Sequence, residues 1–122
     1  MGKNKKQIVG ILGHGEIGSA IARICREAEF EVLIRELTFD QIKDKKVDFL
    51  HVNIPEKNNK QFVDTVVLNI KQLQPSLTII NSSVKVGTCR KIQKLTGADI
   101  VHSPITGVHP HLYESIKFIF PK

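Results

Sequence analysis

Aromatic residues are scarce. There is no tryptophan, one tyrosine and six phenylalanines, and none of them interleaves with a block of lysines or arginines. A nucleic-acid surface calls for a clustered basic face carrying such aromatics, so no nucleic-acid partner is expected. Long apolar runs are also lacking, since the longest span only a few residues, and no membrane-crossing helix or membrane partner is expected. The basic start MGKNKK is followed by no apolar stretch of signal-peptide length. Position 6 is Lys6, where a myristoylation signal wants Ser or Thr. The only two cysteines, Cys25 and Cys89, are too few for a disulfide framework and fall at helix-like positions. They read as small core residues of a reduced, cytoplasmic protein.

What is present fits one compact domain. The chain has 122 residues, with 41% hydrophobic and 25% charged side chains. A chain of that length buries about two-thirds of its unfolded surface. Eighteen basic against twelve acidic residues give a formal charge of +6. Lys3, Lys5 and Lys6 belong to a basic tail, residues 1–6, expected to be disordered. The folded part, 7–122, therefore keeps about +3, a mild bias toward small anionic ligands.

Apolar periodicity sets the elements. Residues 7–12 read as a buried strand ending near a glycine. Ile17, Ala20, Ile21, Ile24, Cys25 and Ala28 then mark one face of a helix of about three turns. Residues 31–35 form a second strand. Thr38 to Gln41 has the shape of a capping box opening a very short helix. A third strand over 47–54 stops at Pro55. Val63, Val66, Val67, Ile70 and Leu73 line a second long helix, with Pro75 just past its end. Strands at 77–80, 99–102 and 116–120 and a helix over 87–96, stopped by Gly97, complete the chain. Alternating strands and helices predict an α/β fold, a single doubly wound parallel sheet of Rossmann type with helices on both faces and strand order 3-2-1-4-5-6.

Gly13-His14-Gly15-Glu16-Ile17-Gly18 is a G-x-G-x-x-G between a predicted strand and a predicted helix, the context that gives the motif meaning. Gly13 suits the tight turn, Gly15 a close approach of a pyrophosphate to the backbone, and Gly18 close packing of helix on strand. N–H groups at the helix start, from Glu16 and Ile17 onward, favour phosphate. His14 is expected close to the cofactor without a chemical role. Glu36, 18 residues beyond Gly18, stands where an acidic residue accepts hydrogen bonds from the ribose hydroxyls. It favours NAD. Arg35 beside it keeps NADP open, because an arginine there can receive a 2′-phosphate.

With these residues in place, the run VGILGHGEIGSAIARICREAEFEVLIRE resembles the NAD-binding domain of the 6-phosphogluconate dehydrogenase-like superfamily. That group includes β-hydroxyacid, UDP-sugar and prephenate dehydrogenases. The resemblance implies that the turn Asn53-Ile54-Pro55 contacts the cofactor. It implies that the turn Asn81 to Thr88, with Ser82 and Ser83, faces the nicotinamide end or a substrate carboxylate. It places Thr106 and Gly107, within His102 to Gly107, near a substrate. The sequence departs from the family between Glu36 and Asp48, where the segment is abbreviated. The family's catalytic Lys or Cys comes from helical domains that have no counterpart in these 122 residues, so no catalytic residue is assigned. Turnover by this chain alone is not expected.

Other candidates carry less. His102, His109 and His111 lack an acidic or cysteine partner at ligand spacing, so no metal site is expected. Lys57 and Lys85 read as solvated lysines at the carboxyl ends of strands. An open sheet edge lined by Ile54, Val84, Ile105 and Val108 predicts self-association or a partner chain. Besides a fold-level relative that binds another nucleotide or nothing, two functions are consistent with the sequence. One is an NAD(P)-binding dehydrogenase domain whose substrate half comes from elsewhere. The other is a standalone nucleotide-binding sensor or regulatory module.

Overall fold

A computed structural model of the chain describes residues 6–104. Residues 1–5 of the expected tail, the predicted strand over 116–120, and Thr106, Gly107, Ile105, Val108, His109 and His111 lie outside the described residues.

Five parallel strands form one sheet: β1 (Ile8–Leu12), β2 (Glu31–Arg35), β3 (Phe49–Val52), β4 (Leu77–Ile80) and β5 (Ile100–His102). Among the described residues three helices flank it: α1 (Glu16–Glu27), α2 (Asn59–Leu73) and α3 (Thr88–Thr96). Strands and helices fall where periodicity puts them, to within two residues at most ends. Alternation along β1 splits the core between the two faces. Val9 and Ile11 pack with Ala20, Ile21 and Ala22 of α1 and with Ile34. Leu12 joins Leu50, Val52 and Ile80 against Phe62, Val63, Val66 and Ile70 of α2 and Ile92 of α3. Helices therefore cover both faces. Each fully buried Ile, Leu or Val contributes about 1.5–3 kcal/mol relative to exposure.

The strand order is β2-β1-β3-β4-β5, which corrects the expected 3-2-1-4-5-6. Either placement of the third strand requires a parallel crossover from β2 of a dozen or more residues, usually a helix. Residues 36–48 form no helix. Instead they cross β1 with Ile42 and Val47 buried against Gly10, so β3 pairs with the free side of β1.

The expected short helix at Thr38 is also corrected. Asp40, not Thr38, supplies the capping oxygen, accepting from the N–H groups of Ile42 and Lys43 at 3.0 Å. The Gln41 side chain turns back to accept the Ile34 N–H at 3.0 Å. The polar side chains of this segment thus satisfy turn and strand-edge donors instead of nucleating a helix.

Helix boundaries follow from their caps. Asn58 caps α2 by accepting the Gln61 N–H. Gln74 closes it in a left-handed conformation immediately before Pro75, and Gly97 closes α3 the same way.

Candidate dinucleotide site

The site sits at the carboxyl end of the sheet, where β1 runs into α1. Gly13 has φ +94°, a left-handed conformation. Its N–H donates to the Arg35 carbonyl at 3.0 Å, and the Asn53 N–H donates to the Leu12 carbonyl at 2.8 Å. The glycine loop is thereby tied to the ends of both neighbouring strands. A Cβ on Gly18 would stand 2.2 Å from the Gly13 carbonyl oxygen, so the start of α1 can lie over the loop only with glycine there. A Cβ on Gly15 would meet nothing within 4 Å. Gly18 is therefore a packing residue, and Gly15 opens onto free space.

Gly15 is the N-cap of α1 and has no side chain with which to cap the N–H donors of the first turn. Those donors and the helix dipole suit an anion. Glu16 and Ile17 occupy the first turn. His14 lies in the loop itself: its N–H donates to the Glu36 carboxylate, and its ring meets Phe39 edge-on with centroids 6.3 Å apart.

A cavity of about 780 Å³ opens beside this loop. That lies within the 300–1,000 Å³ of small-molecule sites. Of the sequence-derived candidates, it brings together Gly13, Gly15, Glu36, Asn53, Ile54 and Pro55. Asn53 supplies a further pointer to a ligand. Both polar atoms of its side chain are buried without a hydrogen-bond partner, an arrangement that costs free energy until something pairs with them.

Ser82 and Ser83 are not among the lining residues of this cavity. Ser82 is buried, and its hydroxyl donates to the Ile54 carbonyl, which fixes the turn carrying Ile54 and Pro55. Ser83 is exposed. Glu56 continues the same stitching, accepting from the Asn59 side chain and from the Lys85 N–H. His102 donates from Nε2 to the Ser82 carbonyl at 3.0 Å. His51, on β3, donates from Nδ1 to Asn81 Oδ1 at 2.9 Å, while Asn81 Nδ2 donates to the Ser103 carbonyl. Burial pushes the His51 pKa below its ordinary value, and the hydrogen bond to Asn81 only partly opposes this. The neutral ring is thus part of the frame beneath the loops.

The far wall of the cavity comes from α2, through Gln61, Phe62, Thr65 and Asn69. Gln61, Thr65 and Asn69 are spaced at i, i+4 and i+8, a polar stripe beside the apolar one. That stripe was legible in the sequence as a pattern, but nothing local marks it as a cavity wall. Arg35 is the other lining residue whose surroundings only the structure gives. Its guanidinium donates to Asp40, Asn69, Gln72 and the Lys43 carbonyl.

The arrangement fits a dinucleotide on two counts: the open Gly15 position at the N-cap of α1, and the unpartnered Asn53 amide. Among the described residues no group of His, Cys, Asp and Glu could hold a metal ion, and no helix is long and apolar enough to cross a membrane.

No protein-family model matches the chain, and no curated protein matches it. Solved structures do. An imine reductase from Myxococcus stipitatus in complex with NAD+ superposes with a TM-score of 0.65 and 16% identity, covering 85% of this chain and 42% of that one. A 3-hydroxyisobutyrate dehydrogenase from Salmonella typhimurium gives 0.69 and 19%, covering 89% and 45%. A Thermus thermophilus protein designated cell-free ID.343 gives 0.62 and 19%, covering 81% and 84%. The chain thus spans less than half the length of the two enzymes. At these identities the likeness shows the fold, which is Rossmann-like.

Proposed function

We propose that the chain is an NAD(P)-binding domain of dehydrogenase type, taking NAD as its cofactor, with the substrate half supplied by another domain, a partner chain or a second copy. One observation carries this reading. The glycine loop, the Glu36 carboxylate and the unpartnered Asn53 amide converge on one cavity at the carboxyl end of the sheet, where open α/β sheets bind ligands. The NAD+ bound by the imine reductase of the same fold supports it further.

In this reading the N–H groups at the start of α1 hold the pyrophosphate, and Gly15 lets it approach. Glu36 accepts the hydroxyls of the adenosine ribose. Ile54 and Pro55 form the wall beside the nicotinamide half, and Asn53 pairs with a polar group of the cofactor. The nicotinamide ring, when bound, supplies the hydride acceptor or donor. Ser83, Thr106 and Gly107 are proposed to meet a small anionic substrate.

Hydride transfer also needs a substrate carbon held about 3–3.5 Å from the ring and a positioned group to move the hydroxyl proton. The resemblance assigns no residue of this chain to that proton transfer, so cofactor binding without appreciable turnover is the behaviour proposed for these 122 residues alone. Titrating NADH against the protein by fluorescence and calorimetry tests the reading. Saturable binding of one nucleotide per chain is expected, and no binding at millimolar NADH would overturn it.

A further inference from the structure

We propose that the hydrogen-bond network around Arg35 is a specificity lock, so that this site rejects a 2′-phosphorylated dinucleotide even when Glu36 is removed. The inference rests on the dinucleotide reading above. An arginine beside the ribose-binding acid is the group that would receive a 2′-phosphate, and Arg35 does line the cavity together with Glu36. Four of its five guanidinium donors, however, are engaged elsewhere.

Nε donates to Asp40 Oδ1 at 3.0 Å. One terminal nitrogen donates to both Asn69 Oδ1 at 2.7 Å and Gln72 Oε1 at 2.9 Å. The other donates to the Lys43 carbonyl at 2.8 Å. Four of the five N–H donors of an arginine are thus in use. The side chain is only 15% exposed, and the hydrogen bond from Arg35 holds the Asp40 carboxyl below its usual range. The partners come from three places: the end of α2, the turn at Asp40 and the chain at Lys43. Turning the guanidinium toward a ligand would break all of these contacts together.

Arg35 is therefore a positioning residue. It joins the end of β2 to α2 and so sets the width of the cavity at the ribose edge. Its positive charge is already balanced by Asp40 and by three neutral oxygens. A 2′-phosphate entering there would meet the Glu36 carboxylate and an arginine with a single donor to spare. Removing Glu36 abolishes the repulsion but leaves every Arg35 contact in place.

The test compares dissociation constants for NADH and NADPH in the full chain. Wild type is expected to prefer NADH. Glu36→Ser should weaken NADH about tenfold or more, while NADPH gains at most about threefold. Adding Asn69→Ala and Gln72→Ala to Glu36→Ser removes both acceptors of one terminal nitrogen and frees its donors toward the cavity. NADPH should then bind about tenfold more tightly than to Glu36→Ser alone, with NADH little changed.

A general loss of structure would lower both affinities together, so the ratio distinguishes the lock from a purely structural role. If Glu36→Ser alone binds NADPH as tightly as wild type binds NADH, there is no lock. If the triple variant is folded and gains nothing, the proposal also fails. Should the triple variant not fold, the Glu36→Ser arm decides by itself. A wild type that binds neither nucleotide overturns the dinucleotide reading itself, whereas one that binds NADPH better overturns the lock alone.

Discussion

The Glu36 carboxylate accepts a hydrogen bond from the His14 N–H, joining the end of β2 to the middle of the glycine loop. One side chain thus fixes the loop, its second oxygen accepts the Leu37 N–H at 3.3 Å, and Glu36 also lines the cavity. Glu36→Ala removes both at once. A charge-assisted hydrogen bond of this kind contributes about 1.5–3 kcal/mol. The expected outcome is a lower Tm and a loss of NADH affinity of tenfold or more, roughly the same free energy. Glu36→Gln, which retains an acceptor oxygen, should recover most of the Tm but only part of the affinity. Thermal melts and fluorescence titrations of the two variants check this. An unchanged Tm in Glu36→Ala would show that the bond to His14 does not hold the loop.

Gly15 and Gly18 predict opposite phenotypes from the same motif. Gly15 has φ −83° and open space around its Cα, so Gly15→Val should fold with a near-native Tm and lose NADH binding. Gly18→Ala puts a methyl group 2.2 Å from the Gly13 carbonyl oxygen. The backbone must shift, at a cost of about 1–3 kcal/mol or more, and the melting temperature should fall by several degrees. Circular dichroism melts alongside NADH titration separate the two. Equal losses of stability would contradict the distinction between an open and a packed glycine.

The contrast between these residues and Arg35 explains how far the sequence could be read. The glycine loop is a local pattern: its three glycines lie within six residues, and strand and helix periodicity surround it. Glu36 follows from spacing along a single βαβ unit. Strand order depends on what residues 36–48 do, and there a plausible capping box at Thr38 competed with Asp40 and Gln41 for backbone donors. Those side chains took the turn and strand-edge donors, no helix formed, and Ile42 and Val47, packed over Gly10, carry the chain across β1 so that β3 pairs on its other side. The partners Asn69 and Gln72 of Arg35 lie 34 and 37 residues away in sequence, and no local periodicity encodes that meeting. Phe62 and Asn69 are buried for the same tertiary reason, flanking the apolar stripe that the periodicity did identify.

Cys25 should be inert. Burial pushes its thiol up to about 11, with the positive charge of Arg26 only partly opposing. At pH 8 about one molecule in a thousand would carry the thiolate, the nucleophilic form. Cys89 is also raised by burial, and it too is only partly buried. In the native protein a disulfide reagent is expected to modify Cys89 first and Cys25 only on unfolding. Mass spectrometry after timed labelling reads this directly. Rapid labelling of Cys25 in the folded chain would contradict its packing against the α1 face of the sheet.

The last prediction concerns acid. His51 is half-buried beside Asn81, and desolvation holds its pKa below the ordinary value of 6.5. In the unfolded chain the ring titrates near 6.5. Between that value and the lower folded one, the unfolded state binds more protons than the folded state. Stability must therefore fall as pH drops below about 6.5, and above it the ring adds no pH dependence. Asp40 acts in the same direction but lower on the scale, because its folded pKa lies below 3.8, so the two windows are separate. Protonation of His51 would place a charge between β1 and β4, with Ile11 and Ile79 as its strand neighbours. His51→Asn keeps an N–H able to reach Asn81 and removes the titration. Wild-type Tm is expected to be flat from pH 8 to 7 and to decline from pH 6.5 to 5. The His51→Asn variant should start lower but lose less over the acidic interval. Parallel declines in the two proteins would show that His51 does not control this window and that other groups carry the acid sensitivity of the fold.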